Sequence, residues 1–326
     1  MAIDIQKKIV KSKPFLFIKK ILSKLVLPGF DGIPVYDVLV FLIKGLKHVG
    51  LTTKASSLAY KFFLAIFPAF LFLLTLIPYI PIHNFQNELM IILQELLPAN
   101  VYRATQETLV DLIKNTHNSL LSFGFLFALY LTADGMNAII SAFDSINKDF
   151  DVKTSFIKSW LKSILLVFII ITLLTLAIAL IIGSGFAISY LKTQGIFNGS
   201  LTIIGINALK WLIILGLLFT AFSFLYWIGP DRKAKFNFVS PGSTFATIFC
   251  ILISLAFTYY VDNFATYNKL YGSIGTVMVI MLLFYFNSLI LLLGFELNVA
   301  IKKLKNKRLA DLNLSELKHL EEPLAP

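Results

Sequence analysis

Apolar side chains fill long, uninterrupted stretches of this chain, and charged residues gather between them. Six windows of 19 or more residues contain no Asp, Glu, Lys or Arg: 62–87, 115–133, 163–191, 211–230, 236–261 and 270–295. About 20 apolar residues in a helix are enough to cross the hydrocarbon core of a bilayer. The windows lack the strict alternation of barrel strands, so helices are the expected form of each crossing. The pattern therefore predicts an all-α, polytopic membrane protein with six transmembrane helices.

The predicted spans lie at about 57–80, 120–143, 163–189, 205–228, 244–261 and 272–300. They form one transmembrane domain, 57–303, between an N-terminal segment, 1–56, and a short polar tail, 304–326. Composition supports this division, because apolar residues make up 57% of the chain and charged residues only 14%. Soluble domains contain roughly 45–50% apolar and roughly 25% charged residues.

Three further segments, 15–27, 36–49 and 83–118, are amphipathic, and 36–49 is too short and too charged to cross the bilayer. Residues 15–27 place apolar side chains on one side of a helix and Lys19, Lys20 and Lys24 on the other. This pattern is typical of a helix in the headgroup region, where the lysines would contact lipid phosphates, or of a helix packed on the bundle. The segment 83–118, interrupted by Pro98, predicts two amphipathic helices between spans 1 and 2 that either cap a cavity or cover the bundle.

The positive charges of the chain are distributed unevenly among the predicted loops. Most of the 29 Lys and Arg residues precede span 1, follow span 6, or lie between spans 2 and 3 and spans 4 and 5. By the positive-inside rule both termini are expected in the cytoplasm. The net charge of +11 is thus interpreted as a topology signal, and no nucleic-acid partner is expected. Arg232, Lys233 and Lys235 between spans 4 and 5 either contact lipid phosphates or form a solvated, topology-setting loop.

The second span carries the most polar residues. Tyr130, Asp134, Asn137, Ser141 and Asp144 share one face of the predicted helix. An ionised Asp near the bilayer centre costs about 2.5–3.5 kcal/mol, so this stripe should face protein or water rather than lipid. The stripe indicates either the wall of a polar cavity or proton path, or interhelical hydrogen bonds that hold the bundle together.

The sixth span contains polar residues at its cytoplasmic half. Asn287 and Asn298 lie on one face, and Glu296 lies on a neighbouring face near the predicted membrane boundary. Glu296 is interpreted as a structural carboxylate that ties span 6 to a basic loop, with a role near a substrate path as the alternative. Lys61, about one turn inside span 1, is interpreted as an anchor whose ammonium group reaches the headgroups.

Several separated motifs make the chain recognisable. Span 6 is preceded by YGS at 271–273 and ends in LLLGFELN at 291–298. Span 1 contains LAY at 58–60 followed by Phe67-Pro68, span 2 reads TADGMNAIISAFDSINK, and span 4 ends in LYWIGPDRKAKFNFVSPGS. This series resembles the YihY/BrkB family, bacterial inner-membrane proteins once labelled ribonuclease BN. Asp144 stands where Asn is more usual in that family. The resemblance covers residues 50–303 and implies a multi-pass protein of the bacterial plasma membrane.

The sequence contains no recognisable enzyme site. Its four histidines are scattered, its carboxylates do not cluster, and it has neither a P-loop nor a Gly-rich nucleotide loop. No catalytic, cofactor or metal site is therefore expected, and ribonuclease activity is disfavoured. Intramembrane polarity without a catalytic cluster favours a transporter or exporter of a small or amphiphilic substrate, a lipid among the options. The alternative is a non-transporting envelope protein that binds a partner; membrane lipids are the expected contacts, and homo-oligomers are left open.

Overall fold

A computed structural model of the chain describes residues 19–26, 30, 32–40, 50–79, 85–96, 99–146, 156–193, 200–230, 237–263 and 273–321. Within these ranges no strand occurs. Its long helices are α1 (Leu51–Leu76), α2 (Phe85–Leu96), α3 (Ala99–Lys114), α4 (Asn118–Ile146), α5 (Phe156–Thr193), α6 (Ser200–Ile228), α7 (Pro241–Asn263) and α8 (Ser273–Glu321).

Six of these helices, α1 and α4 to α8, are long and apolar enough to cross a membrane. This confirms the predicted all-α architecture with six spans. The helices run past the predicted span limits, because a charge-free window marks the part in lipid whereas the helix continues into polar residues. The 38 residues of α5 make a helix of about 57 Å, well beyond a hydrocarbon core of about 30 Å. The last helix continues through the predicted tail to Glu321.

The six spanning helices form a closed ring that follows the order of the chain. Each spanning helix contacts the next one along the sequence, and α8 contacts α1 to complete the ring. Contacts between α4 and α8 cross the ring. Consecutive antiparallel helices joined by short connections are the usual arrangement of helical bundles. The ring brings the polar faces of α1, α4 and α8 together.

Packing is concentrated at one end of the ring, here called the packed end, where α1, α5 and α7 begin and α4 and α6 end. The main core combines buried side chains from these helices with those of the middle of α8, among them Leu58, Phe143, Leu166, Tyr226, Leu292 and Phe295. In the other half of the bundle, here called the open end, large apolar side chains lie on the surface. Leu176, Leu212 and Leu255 are examples, each more than half exposed.

The two amphipathic helices predicted between spans 1 and 2 are present as α2 and α3. Pro98 lies between them, as expected for a residue that interrupts a helix. Leu109, Leu112 and Ile113 of α3 are buried against Leu74 and Ile77 at the end of α1. The apolar face of α3 therefore packs on the bundle, and its polar residues face outward.

The described part of the N-terminal segment packs on the middle of α8, at residues 293–304. Phe30, Ile33, Val35 and Val38 are buried against α8, with Leu22 in the same cluster. Of the predicted helix 15–27, residues 15–18 and 27 lie outside the described residues; residues 19–22 are helical, and a turn follows at Ser23. Within the described part, Leu22 packs against the bundle, whereas Ile21 and Leu25 are exposed.

Candidate functional site

The first two spans hold an ion pair within the membrane-spanning part of the bundle. The Lys61 ammonium of α1 lies 2.6 Å from Oδ2 of Asp134 on α4. About a third of each side chain is exposed. Pairing offsets part of the cost of placing each charge away from water. The sequence predicted Lys61 as a headgroup anchor, whereas the structure gives it a carboxylate partner on the neighbouring helix, 73 residues away.

A cleft of about 410 Å³ opens beside this ion pair at the packed end of the bundle. Its lining residues come from α1 and α4: Lys54, Ser57, Leu58, Lys61, Asn137, Ala138, Ser141, Ala142 and Ser145. Small residues on α4 leave room between the helices, and two lysines two helical turns apart on α1 supply positive charge. The polar residues of the cleft wall therefore lie on two facing helices.

The polar stripe of α4 takes part in both roles that the sequence left open. Asn137 and Ser141 line the cleft. Asn137 also accepts a hydrogen bond of 2.7 Å from the Ser159 hydroxyl of α5, and the Tyr130 ring lies 5.6 Å from the ring of Trp160. The same face of α4 thus forms a cavity wall and contacts the neighbouring helix.

Asp144 lies at the end of the stripe near the packed end. Its side chain is half-buried, and it is not among the residues that line the cleft. Its neighbour Ser145 does line the cleft, so the last turn of α4 reaches the cleft but Asp144 does not contribute to its wall.

Glu296 is a buried carboxylate behind the cleft. Its side chain is only 3% exposed, and its Oε2 atom has no hydrogen-bond partner among the described residues. Positive charge reaches it from Lys303 of α8 and from Lys54 of α1, which also lines the cleft. The sequence predicted a tie between Glu296 and a basic loop. Among the described residues, the cation on another element that acts on Glu296 is Lys54 of the first span, while the basic residues 232–235 lie outside the described residues.

Asn298 joins α8 to the beginning of α7. Its Oδ1 atom accepts a hydrogen bond of 2.8 Å from the backbone N–H of Gly242, and its amide group donates to the Ser240 hydroxyl at 3.0 Å. The first N–H groups of a helix have no partner within the helix, so Asn298 satisfies one of them from outside. Its role is therefore in the bundle interior.

Asn287 takes a similar interior position about three helical turns closer to the open end. Its side-chain oxygen accepts a 3.1 Å contact from the Cys250 thiol of α7, and its amide group donates to the carbonyl of Leu283 in its own helix. Asn287 and Asn298, predicted on one face of span 6, thus both contact α7.

Two glycines that the sequence did not single out as site residues permit this contact. A Cβ atom at Gly294 would lie 2.5 Å from the Tyr226 hydroxyl and 2.7 Å from the Gly242 carbonyl oxygen. The Tyr226 hydroxyl donates a 2.8 Å hydrogen bond to the carbonyl of Leu291. Glycine lets two helix backbones approach closely in a membrane. The glycines of the PG and LLLG motifs were the sequence signal for this approach.

Of the predicted lipid-phosphate contacts, the three lysines near the N-terminus are described by the structure and the basic residues between spans 4 and 5 are not. Lys20 and Lys24 are exposed, and the Lys19 ammonium lies 5.2 Å from the centre of the Tyr36 ring. Arg232, Lys233 and Lys235 lie outside the described residues. Among the residues that the structure describes, no group of three His, Cys, Asp or Glu side chains could hold a metal ion.

Comparison with known proteins places the chain among membrane proteins. A family model described as virulence factor BrkB matches residues 42–316. A protein of Bacillus subtilis named ribonuclease-like protein YfkH is 35% identical over 264 residues, which cover 80% of this chain and 93% of that protein. A UPF0761 membrane protein of Mannheimia succiniciproducens is 32% identical over 46% of this chain and 53% of its own length. Another, from Aggregatibacter aphrophilus, is 24% identical over 82% of this chain and 92% of its own. No solved structure matches.

Proposed function

The chain belongs to the virulence factor BrkB family of membrane proteins, and we propose that it is a transporter or exporter of a small or amphiphilic substrate. A lipid is included in that class. The observation that carries the proposal is the Lys61–Asp134 ion pair at the wall of an open cleft between the first two spans. In this proposal the protein moves its substrate without chemical change, and it binds neither a cofactor nor nucleic acid.

Charge and cavity together support this function better than either does alone. Ionisable residues inside spanning helices are rare because of their desolvation cost, and they often mark a substrate or ion path. The volume of about 410 Å³ lies within the roughly 300–1,000 Å³ of pockets that hold small molecules. Apolar side chains, Leu58 among them, share the wall with polar ones. Such a mixed wall suits a ligand that has both a polar and an apolar part.

The proposal places the protein in the bacterial plasma membrane with the packed end towards the cytoplasm. Lys54, Lys158 and Lys303 all lie near that end, and positive charge is retained on the cytoplasmic side. A single cysteine at Lys158, in a chain with Cys250→Ser, should react with an impermeant maleimide only after intact cells are opened. Labelling in intact cells would show the opposite orientation, with the packed end outside.

Transport is tested with purified protein in liposomes that contain a fluorescent short-chain phospholipid or a radiolabelled small anion. We expect flux above that of protein-free vesicles, and we expect Asp134→Asn to lower it to near their level, because Lys61 then lacks its partner. Lys210→Met is the matched control, since Lys210 lies in a span near Trp211 and does not line the cleft. Flux equal to that of empty vesicles for every probe would refute the proposal.

The second candidate is a non-transporting envelope protein. It is favoured by the position of α3, whose buried apolar face leaves Arg103, Glu107 and Asp111 exposed at the opposite end from the cleft. Photo-crosslinking from position 107 in living cells tests it. A specific adduct together with no flux would favour this function over transport.

A further inference from the structure

We propose that the cleft between α1 and α4 binds a phosphate group through Lys54 and Lys61, and that Glu296 competes with this ligand for the charge of Lys54. The inference rests on the proposed function, because it assumes that the cleft is the substrate site. It adds the chemical class of the ligand and assigns a role to a buried carboxylate that the transport argument does not use.

The polar wall of the cleft offers hydrogen-bond donors. Lys54 and Lys61 are cations that only donate, and Ser57 adds a hydroxyl. The Ser141 and Ser145 hydroxyls donate to the backbone carbonyls of Asn137 and Ala142. Asn137 accepts a hydrogen bond from Ser159 through Oδ1, so its amide N–H groups remain as its contribution to the cleft. No carboxylate is among the lining residues. The two lysines, the Ser57 hydroxyl and the Asn137 amide favour an anion with several oxygens, and phosphate has this character.

Asp134 modulates one of the two cations. It lies 2.6 Å from the Lys61 ammonium and lowers the net charge that Lys61 presents to a ligand. Lys54 precedes Lys61 by seven residues on α1 and so lies closer to the packed end. Lys54 is therefore the cation that a ligand entering from that end meets first, and Lys61 lies deeper.

Glu296 interacts electrostatically with the same Lys54. Its carboxylate is buried, its Oε2 atom has no hydrogen-bond partner among the described residues, and Lys54 and Lys303 supply the positive charge that acts on it. A phosphate in the cleft and the Glu296 carboxylate would therefore both attract the Lys54 ammonium group. Removing the charge of Glu296 should strengthen phosphate binding, whereas a purely structural carboxylate would only weaken the fold when changed.

Binding is measured by isothermal titration calorimetry on the full chain in detergent, with dihexanoyl phosphatidic acid and inorganic phosphate as probes. We expect Glu296→Gln to lower the dissociation constant by about three- to tenfold, where tenfold equals about 1.4 kcal/mol. The double variant Lys54→Gln/Glu296→Gln should bind about tenfold or more weakly than Glu296→Gln alone. Lys158→Gln is the matched control: an exposed lysine at the same end that does not line the cleft. It should bind as the unchanged protein does.

The two probes separate the two sources of phosphate. Binding of the lipid alone assigns the site to a lipid headgroup, and binding of both probes assigns it to the phosphate group itself. Either result supports the inference if it depends on Lys54. Binding of neither probe, or equal binding by all variants, overturns it.

Binding is measured without flux, so the two proposals fail separately. Lys54-dependent binding without transport refutes the transport function alone. Transport of an uncharged substrate without such binding refutes the phosphate site alone.

Discussion

The packed end and the open end of the bundle both carry many large apolar side chains but bury them differently. At the packed end Phe143 and Phe295 stack with their ring centres 4.1 Å apart, and both are fully buried. At the open end Leu176 and Leu212 are more than half exposed. Lipid is as apolar as leucine, so an apolar surface alone does not drive helices together in a membrane. The difference shows that close packing needs small residues and polar contacts in addition to hydrophobicity.

The packed end supplies both small residues and polar contacts between helices. Gly242 and Gly294 let α7 and α8 approach, while Asn298 and Tyr226 hydrogen-bond to backbone groups of neighbouring segments. Towards the open end, a Cβ atom at Gly183, Gly205 or Gly216 would have no neighbouring atom within 4 Å. Gly124 is an exception towards the open end, because a Cβ atom there would contact the backbone of Phe72 at 3.5 Å. Glycines thus permit close helix approach at Gly242 and Gly294, whereas Gly183, Gly205 and Gly216 face open space.

The largest difference in stability between the two ends is expected for substituted glycines. Gly294→Val should prevent stable folding or lower the thermal unfolding midpoint strongly, because the new side chain would overlap Tyr226 and the backbone at Gly242. Overpacking usually costs about 1–3 kcal/mol, but here the added atoms would overlap the backbone of Gly242, so we expect a cost above about 4 kcal/mol. Gly216→Val, which adds the same atoms in open space, is the control and should leave the midpoint nearly unchanged. Fluorescence-detected thermal unfolding in detergent measures both, and equal shifts would contradict the comparison.

A smaller difference in unfolding free energy between the two ends is expected for truncated leucines. Leu292→Ala at the packed end should cost about 2–4 kcal/mol, since it leaves a cavity in a fully buried cluster. Leu212→Ala removes the same atoms from a side chain that is 67% exposed and should change the unfolding free energy little. Denaturation of each variant in mixed micelles gives the two values. A loss at Leu212 as large as that at Leu292 would indicate that the open end is covered, for instance by a second copy of the chain.

The smallest difference in stability is expected between alanine variants of the two asparagines of α8. Asn298→Ala leaves the buried N–H of Gly242 without its acceptor and should cost about 1–3 kcal/mol. Asn287→Ala should cost less, because Asn287 is only half-buried and bonds to a thiol and to its own helix. Midpoints from the same thermal assay rank the two, and the reverse order would show that the thiol contact is the more important one.

Part of the candidate site could be predicted from sequence because a helix places residues three and four apart on one face. That rule alone groups Asp134, Asn137 and Ser141. It says nothing about which other helix lies opposite. Lys61 and Lys54 belong to the site only because α1 packs against α4, and Glu296 meets Lys54 only because α8 closes the ring.

The local order of apolar and polar residues, together with the thickness of a bilayer, was enough to predict the number of spans, the helical class and the amphipathic pair after span 1. The family was likewise evident from motifs along the chain. Three features became visible only once the helices were packed: Lys61 pairs with Asp134, Asn298 binds the beginning of α7, and the largest buried cluster lies at one end. These contacts join residues tens to hundreds of positions apart, and in lipid, where hydrophobicity does not select partners, they depend on shape and hydrogen bonding between particular helices.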